Sequence, residues 1–197
     1  MNRNILFALL VILLLVLFSD ACMAQHSLAA DTDARFAVST NVTDYVNLLT
    51  PNIDVQYAVG KSFTAQVGMK YNNWTFGPDT DKAMKNRQQT YYVGARWWPW
   101  YTYSGWWVGG AAQFQEYDRG GVFTKDSEEG DAYGLAFSGG YSIQLAKWLN
   151  FDIGFGFWGG RTEYVRYSCP TCGKKVDEGK KFFVLPNEAR VALQFIF

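Results

Sequence analysis

The amino-acid sequence predicts an all-β protein, an eight-stranded antiparallel up-and-down transmembrane β-barrel that follows a cleaved signal peptide. The last seven residues, Val191 to Phe197, place large apolar side chains at every odd position and end on an aromatic residue. A period of two is typical of a strand with one apolar face. Earlier segments repeat this alternation, and aromatic residues make up 18% of the chain. Ending on such a strand resembles the closing strand of outer-membrane barrels.

The first 24 residues have the pattern of a secretory signal peptide. Arg3 supplies a positive charge, Ile5 to Phe18 is an apolar run of 14 residues, and Cys22-Met23-Ala24 offers small residues for cleavage. The run is shorter than the roughly 20 residues of a membrane-spanning helix. We therefore predict a signal peptide over 1–24, a short periplasmic segment over 25–33 and a barrel over 34–197. The alternative, lipid attachment at Cys22, rests on a weak lipobox-like Ser19-Asp20-Ala21-Cys22.

Eight segments alternate apolar and polar residues and are predicted to be strands. In chain order they are Phe36–Val42, Ile53–Val59, Phe63–Tyr71, Tyr91–Trp97, Trp106–Phe114, Tyr133–Leu145, Leu149–Trp158 and Val191–Phe197. A tilted strand of about 9 to 11 residues crosses a bilayer. An even number of strands puts both termini on the periplasmic side.

The connections between these strands alternate in length. Gly60-Lys61, Pro99–Ser104 and Ala146-Lys147 are short, whereas Thr43–Thr50, Gly77–Arg87, Asp118–Gly130 and Tyr164–Lys181 are longer. This pattern is typical of periplasmic turns and external loops. Aromatic residues near the short turns predict one aromatic girdle: Trp97, Trp98, Trp100, Tyr101, Tyr103, Trp106, Trp107 and Trp148. A second girdle is predicted near the long loops: Tyr71, Trp74, Tyr91, Tyr117, Tyr133 and Tyr164.

The polar face of the strands is predicted to line the barrel interior. It carries small residues, which suit a cramped interior, and all the charges that fall within strands: Asp54, Lys70, Arg96, Asp152, Glu188 and Arg190. Facing lipid, each basic residue would cost about 2–4 kcal/mol at mid-membrane. An eight-stranded barrel is filled by its own side chains. We therefore expect an interior salt-bridge network, with glycines making room for Trp107, Trp158 and Tyr92.

The remaining sequence features restrict the chemistry of the protein. The charges of 18 Lys plus Arg and 18 Asp plus Glu cancel, so no nucleic-acid partner is expected. Cys169 and Cys172 form a Cys-Pro-x-Cys-Gly motif that resembles half of a zinc knuckle, but a structural zinc site needs four ligands. A local disulfide is the preferred interpretation for an exported protein, with metal binding and free thiols as alternatives. No catalytic residue and no cofactor are predicted.

The chain resembles an uncharacterised domain-of-unknown-function family of small OmpA-like outer-membrane barrels from Gram-negative anaerobes. The resemblance covers residues 36–197. It rests on Asn47-Leu48-Leu49-Thr50-Pro51-Asn52, Gly60-Lys61-Ser62-Phe63, Asn73-Trp74-Thr75-Phe76 and the Cys-x-x-Cys-Gly-Lys-Lys loop Tyr167–Lys175. The resemblance implies no established activity. It implies an accessory role, because such genes often lie near those for fimbrial or other surface assemblies.

The sequence leaves three classes of function. The preferred class is a non-enzymatic outer-membrane barrel with a structural or interaction role, an accessory or subunit of a cell-surface assembly. Its expected partners are outer-membrane lipid, surface or fimbrial proteins, and the barrel assembly machinery, which would recognise Val191, Leu193, Phe195 and Phe197. The alternatives are a narrow pore for small solutes and an outer-membrane hydrolase. The hydrolase is disfavoured because the only histidine, His26, precedes the first strand.

Overall fold

The computed structural model of the chain describes residues 35–47, 49–77, 84–120, 126–168 and 173–197. The predicted signal peptide over 1–24 and the periplasmic segment over 25–33 lie outside the described residues. So do Cys22, His26, Cys169 and Cys172. The predicted disulfide and its alternatives therefore concern residues outside the description.

The described part of the chain contains one short helix and nine strands. They are β1 (Phe36–Asn41), α1 (Val42–Val46), β2 (Asn52–Ala58), β3 (Phe63–Asn72), β4 (Thr75–Phe76), β5 (Met84–Trp97), β6 (Gly105–Gly120), β7 (Ser127–Ala146), β8 (Leu149–Tyr167) and β9 (Lys175–Ile196). No helix in these ranges is long and apolar enough to cross a membrane.

The strands form one antiparallel sheet that closes on itself. Each long strand pairs with the next one along the chain, with β3 paired to β5, and β1 pairs with β9 to complete a ring of eight. The two-residue strand β4 adds only to the edge of β5. The prediction of an all-β, up-and-down antiparallel sheet is confirmed. We call the end of the ring that carries the short connections the turn end, and the opposite end the loop end.

The register of the strands sets their tilt relative to the axis of the ring. A path through directly paired residues starts at Gln194 of β9, crosses the other seven ring strands and returns to β9 at Phe183. Gln194 and Phe183, the start and the end of the path, are eleven residues apart on β9. One of these residues is Asn187, the extra residue of a bulge, so the stagger between the first and last strands of the ring is ten positions. With a rise of about 3.3 Å per residue and a strand spacing of about 4.8 Å, the tilt is about 40°. Each circuit of the path therefore climbs about 25 Å towards the loop end.

Five strands extend further towards the loop end than the alternation predicts. β5 to β9 contain 14 to 22 residues, and most of the predicted loop Tyr164–Lys181 belongs to the β8–β9 hairpin. The predicted loop Thr43–Thr50 contains most of α1. The predicted bounds were wrong because the strand tips are polar on both faces. The apolar alternation stops there, but the strand pairing continues.

Polar side chains lie inside the closed sheet and apolar side chains lie outside it. Among the described residues, 21 buried side chains are polar or charged and nine are hydrophobic, whereas 36 large hydrophobic residues are exposed. Soluble proteins show the opposite distribution. The interior face of the strands is therefore the polar one, as the alternation predicts.

The turn-end aromatic residues divide between the two faces, and the prediction that all of them form an outer girdle was wrong. Trp97, Trp106 and Trp148 are exposed on the exterior, but Trp98 and Trp107 are fully buried. Trp107 instead meets its other expectation, because Gly140 and Gly154 make room for its ring inside the sheet. Tyr103 follows them into the interior because it takes a positive φ of 65° in the turn before Gly105, a conformation uncommon for a bulky residue. At the loop end, Tyr117 also turns inward, where it packs near Trp158.

A bulge in β9 reverses which of its residues face the interior. Gly156 pairs with Glu188 and Phe157 pairs with Pro186, which leaves Asn187 without a partner on β8. On the loop-end side of Asn187, Phe183 packs inward against Trp158, whereas Phe182 is 75% exposed. One inserted residue shifts the alternation by one position.

Candidate functional site

The interior near the turn end holds a network of buried charges centred on Asp152. Oδ2 of Asp152 lies 3.3 Å from Nη1 of Arg96 and 3.3 Å from Nε of Arg190. Nη1 of Arg190 lies 2.9 Å from Oε1 of Glu188. The two guanidinium side chains are 2% exposed and the Asp152 carboxylate is 0% exposed. The structure thus brings four of the six sequence-predicted interior charges together.

The other two interior charges have different partners. Lys70 pairs with Asp44 of α1, with Nζ 3.0 Å from Oδ2. Asp54 accepts hydrogen bonds from neutral groups, at 3.0 Å from the Tyr92 hydroxyl, 2.8 Å from the Gln56 amide and 3.3 Å from the Ser39 hydroxyl. Sequence reasoning missed Asp44 because it lies in a segment predicted to be an external loop.

Aromatic side chains fill the interior next to this network. The Arg96 guanidinium lies 4.1 Å from the ring centroid of Trp107, and Trp98 packs between Trp107 and Tyr103. The Tyr103 hydroxyl donates to the Arg35 carbonyl at 3.0 Å. A cavity of only about 20 Å³ lies on the loop-end side of this packing, which is room for about one water molecule. The turn-end half of the ring is therefore closed by side chains.

Near the loop end the interior opens into a larger space, which we call the mouth cavity. Its volume is about 780 Å³, and its lining is Asp44, Val46, Asn47, Lys70, Lys85, Asn86, Gln88, Thr90, Gln113, Gln115, Arg119, Gly120, Asp126, Glu128, Trp158, Arg166, Leu185, Pro186 and Asn187. Several lining amides bond to one another across strands, such as Gln113 with Asn187 at 3.1 Å. The size lies in the range of small-molecule binding sites.

Charged side chains surround the top of the mouth cavity. Glu128 accepts from Arg166 at 3.0 Å, from Lys181 at 2.9 Å and from the Tyr117 hydroxyl at 3.1 Å. Burial alone would raise the pKa of the Glu128 carboxyl, but the hydrogen bonds from Lys181 and Arg166 outweigh it and hold that pKa below its ordinary value. The carboxylate is therefore ionised at neutral pH.

Arg119 lies beside this cluster without a carboxylate partner. Its guanidinium donates to Gln115 Oε1 at 3.2 Å and lies 4.9 Å from the Tyr117 ring centroid. Within the described ranges no carboxylate oxygen comes within ion-pair distance of Arg119. The sequence analysis placed Arg119 and Glu128 in the predicted loop Asp118–Gly130, as solvated loop charges that could recognise a partner, and did not place them at the interior.

The carboxy-terminal strand completes the ring. Leu193 and Phe195 of β9 lie opposite Thr40 and Val38 of β1. The Phe197 backbone donates to the Phe36 carbonyl at 2.8 Å and accepts from the Phe36 amide at 3.1 Å. Val191, the first residue of the predicted assembly signal, donates its backbone N–H to Asn41 Oδ1 at 2.9 Å. The last strand thus joins the two ends of the sheet.

One family model matches the chain, and it carries the description "Protein of unknown function (DUF3575)". The match covers residues 9–197. The chain belongs to this family. No curated protein matches the sequence. The predicted membership of an uncharacterised domain family is confirmed, and the family description supplies no activity.

Proposed function

We propose that this chain is a non-enzymatic outer-membrane β-barrel with a structural or interaction role, as an accessory or subunit of a cell-surface assembly. The observation that carries the proposal is the apolar exterior around a polar interior. Elsewhere than at the loop-end edge of β9, the closed sheet pairs the backbone of each described strand with its neighbours, and paired backbone is the condition for crossing lipid with strands. An exterior rich in exposed Phe, Trp, Val and Leu can pack against the acyl chains of lipids.

The height of the apolar exterior supports a membrane location. On β8 the exterior positions from Leu149 to Gly159 carry no charge, and the next exterior residue is Arg161. Ten steps of about 3.3 Å, tilted by about 40°, span about 25 Å along the axis of the ring. Outer-membrane barrels have an apolar band about 25 Å tall. On β7 the band ends in the same way, with exterior Tyr133 followed by the exposed Asp131.

The packed interior favours a structural or interaction role over transport. A solute that crossed the ring would have to displace Trp98, Trp107 and the Arg96–Asp152 pair, all of which are buried. Breaking a buried ion pair costs about 3–5 kcal/mol. The filled turn-end half therefore weighs against the pore alternative.

The loop end offers a surface for a protein partner. From Lys175 to Lys181, β9 pairs with β8 on one side, and no described strand pairs with its other side. Unpaired strand edges accept an extended segment of a partner through main-chain hydrogen bonds. Lys180 is 73% exposed at this edge.

Affinity purification of a tagged copy from the outer membrane of the native host tests the proposal. We expect the protein to fractionate with outer membranes and to bring down a stoichiometric partner identified by mass spectrometry. Lys180→Glu should weaken recovery of that partner, whereas Lys61→Glu, an exposed lysine at the turn end, should leave it unchanged. Recovery of the chain in the soluble fraction would refute the membrane location. Recovery from membranes without any partner would leave a purely structural role.

A further inference from the structure

The wall of the ring lacks a described strand at its loop end, where α1 packs beside β9 in place of one, and we call this break in the strand wall the opening. β1 pairs with β9 only between Ala192 and Ile196, whereas β9 extends to Lys175. At the end of that seam, side chains replace the missing strand, since Asn41 and Thr43 both donate to the Ala189 carbonyl. Farther towards the loop end, no described strand pairs with this edge of β9.

Two local features in β9 keep this edge open. Pro186 has no backbone N–H to give to a neighbouring strand. Asn187 next to it is the extra residue of the bulge, which bends a strand and interrupts regular pairing.

The opening lies at the height of the apolar exterior. Pro186 is opposite Phe157 of β8, which is 50% exposed, and Val184, two residues along β9, is 77% exposed. Directly paired residues on neighbouring strands differ in height along the axis of the ring by only about 3 Å, which is an eighth of the roughly 25 Å gained in one full circuit. Under the proposed function, the opening therefore faces the outer leaflet of the membrane.

The mouth cavity reaches the opening from inside. Its lining includes Val46 from α1 and Leu185 and Pro186 from β9, which are the two sides of the opening. Behind them, Trp158 packs with Phe183 in a small apolar cluster. The cavity thus has an apolar side next to the opening.

The opposite side of the mouth cavity is polar and carries more cations than anions. The charged lining residues are Lys70, Lys85, Arg119, Arg166, Asp44, Asp126 and Glu128. Lys70, Lys85 and Arg166 already have carboxylate partners, which leaves Arg119 to face an incoming anion. The Thr90 hydroxyl is buried in the same lining and has no hydrogen-bond partner in the described part of the chain.

We propose that the mouth cavity binds an anionic single-chain amphiphile, whose apolar chain enters between α1 and β9 and whose acidic head lies beside Arg119. The head is a carboxylate or a phosphate, since guanidinium groups bind both through paired hydrogen bonds. The inference rests on the proposed membrane location for the route of entry. It does not need that location for binding itself.

Photolabelling of the purified full-length protein in non-ionic maltoside micelles tests the inference. The probe is an alkyl phosphate with a diazirine at the end of its chain, and labelled residues are mapped by mass spectrometry. We expect saturable labelling of Leu185 and Trp158. Unlabelled alkyl phosphate should compete at least tenfold better than an alkyltrimethylammonium of equal chain length.

Two matched variants separate the cavity from adsorption to the exterior. Arg119→Gln should lower labelling of Trp158 at least tenfold, because it removes the unpaired cation. Arg161→Gln removes an exterior cation on β8 at the end of the apolar band, and it should leave the labelling unchanged. Urea unfolding midpoints verify that both variants are folded.

Other outcomes would overturn the inference. Labels confined to exterior residues such as Phe157, equal competition by the cationic amphiphile, or equal effects of the two variants would each do so. An alkyl carboxylate and an alkyl phosphate used as separate competitors distinguish the two possible heads. A chain that stays soluble without detergent would refute the membrane location, and interior labelling would still report on the cavity.

Discussion

Replacing Asp152 with Asn should destabilise the protein by about 3–5 kcal/mol, because it leaves two buried guanidinium groups without their shared carboxylate. Each nitrogen–oxygen distance is 3.3 Å. At an effective dielectric constant of about 20, each such pair is worth about 5 kcal/mol before desolvation is subtracted. Arg190 keeps Glu188 as a partner at 2.9 Å, so Arg96 bears most of the loss. Asn has nearly the volume of Asp, and no cavity term adds to the cost.

Urea unfolding of the protein in lipid vesicles, followed by tryptophan fluorescence, measures this change. Trp107 and Trp158 are buried and report the loss of interior packing. For a slope of about 1–3 kcal/mol per molar urea, the midpoint should fall by at least about 1 M. The matched control is Asp131→Asn, which removes an exposed carboxylate from the exterior of β7 and should cost less than about 0.5 kcal/mol.

A second substitution tests whether the cost comes from the uncompensated charge. Arg96→Met in the Asp152→Asn background removes the cation that the first change leaves unpaired, so part of the lost stability should return. Equal midpoints for Asp152→Asn and Asp131→Asn would refute the role of the network. So would a double variant less stable than Asp152→Asn alone.

Three further predictions concern packing, pH and closure of the ring. Gly140→Ala should cost about 1–3 kcal/mol in urea unfolding, because a Cβ there would lie 2.3 Å from a backbone oxygen and 2.7 Å from the Trp107 ring; Gly139→Ala, with its nearest neighbour at 3.5 Å, should cost far less. Protection factors for amide hydrogen exchange at the tips of β7 to β9, corrected for the intrinsic pH dependence of exchange, should fall as pH drops below about 4.5, the ordinary value for Glu128, and stay constant above it. The reason is that the pKa of Glu128 is lowered in the folded state, so its stabilisation is present above that value and is lost as pH falls through the folded pKa; a loss of protection that begins near neutral pH would contradict this. Phe197→Lys should reduce membrane assembly in a fractionation assay far more than Glu178→Lys, because it puts a charge in place of the exposed apolar ring that ends the strand paired with β1, and equal losses would contradict that role.

The closed sheet could be predicted from the sequence because its exterior face is apolar and its interior face is polar. The two faces therefore take different residue types at alternate positions of each strand. Leu149 to Trp158 alternates without interruption, and the structure pairs that whole segment on both sides. Arg96 and Asp152 could be assigned to the interior for the same reason, since both fall on the polar side of their strands. The pairing of Arg96 with Asp152 could not be predicted from the sequence, because it depends on the stagger of strands that are far apart in the chain.

The loop-end half could not be predicted in the same way. Where a strand has polar residues on both faces, as at Glu128 and Glu129, alternation gives no signal and pairing alone defines the strand. Trp98 was misassigned although it continues the alternation in which Arg96 faces the interior and Trp97 the exterior. Tyr103 was misassigned because it lies in a turn, where its own positive φ decides which face it meets. The bulge at Asn187 has the same effect on β9, and only Pro186 beside it hinted at an interruption.

The unequal strand lengths explain why the two halves of the ring differ. β1 has six residues and β9 has 22, although they are neighbours across the seam. At the turn end, β1 covers β9, and buried aromatic and charged side chains fill the interior there. Towards the loop end nothing in the described strands continues β1, so α1 with its Asp44–Lys70 pair is what holds that side of the wall. Under the proposed function, the filled turn end would anchor the ring in the membrane, and the incomplete wall at the loop end is where a ligand or partner would bind.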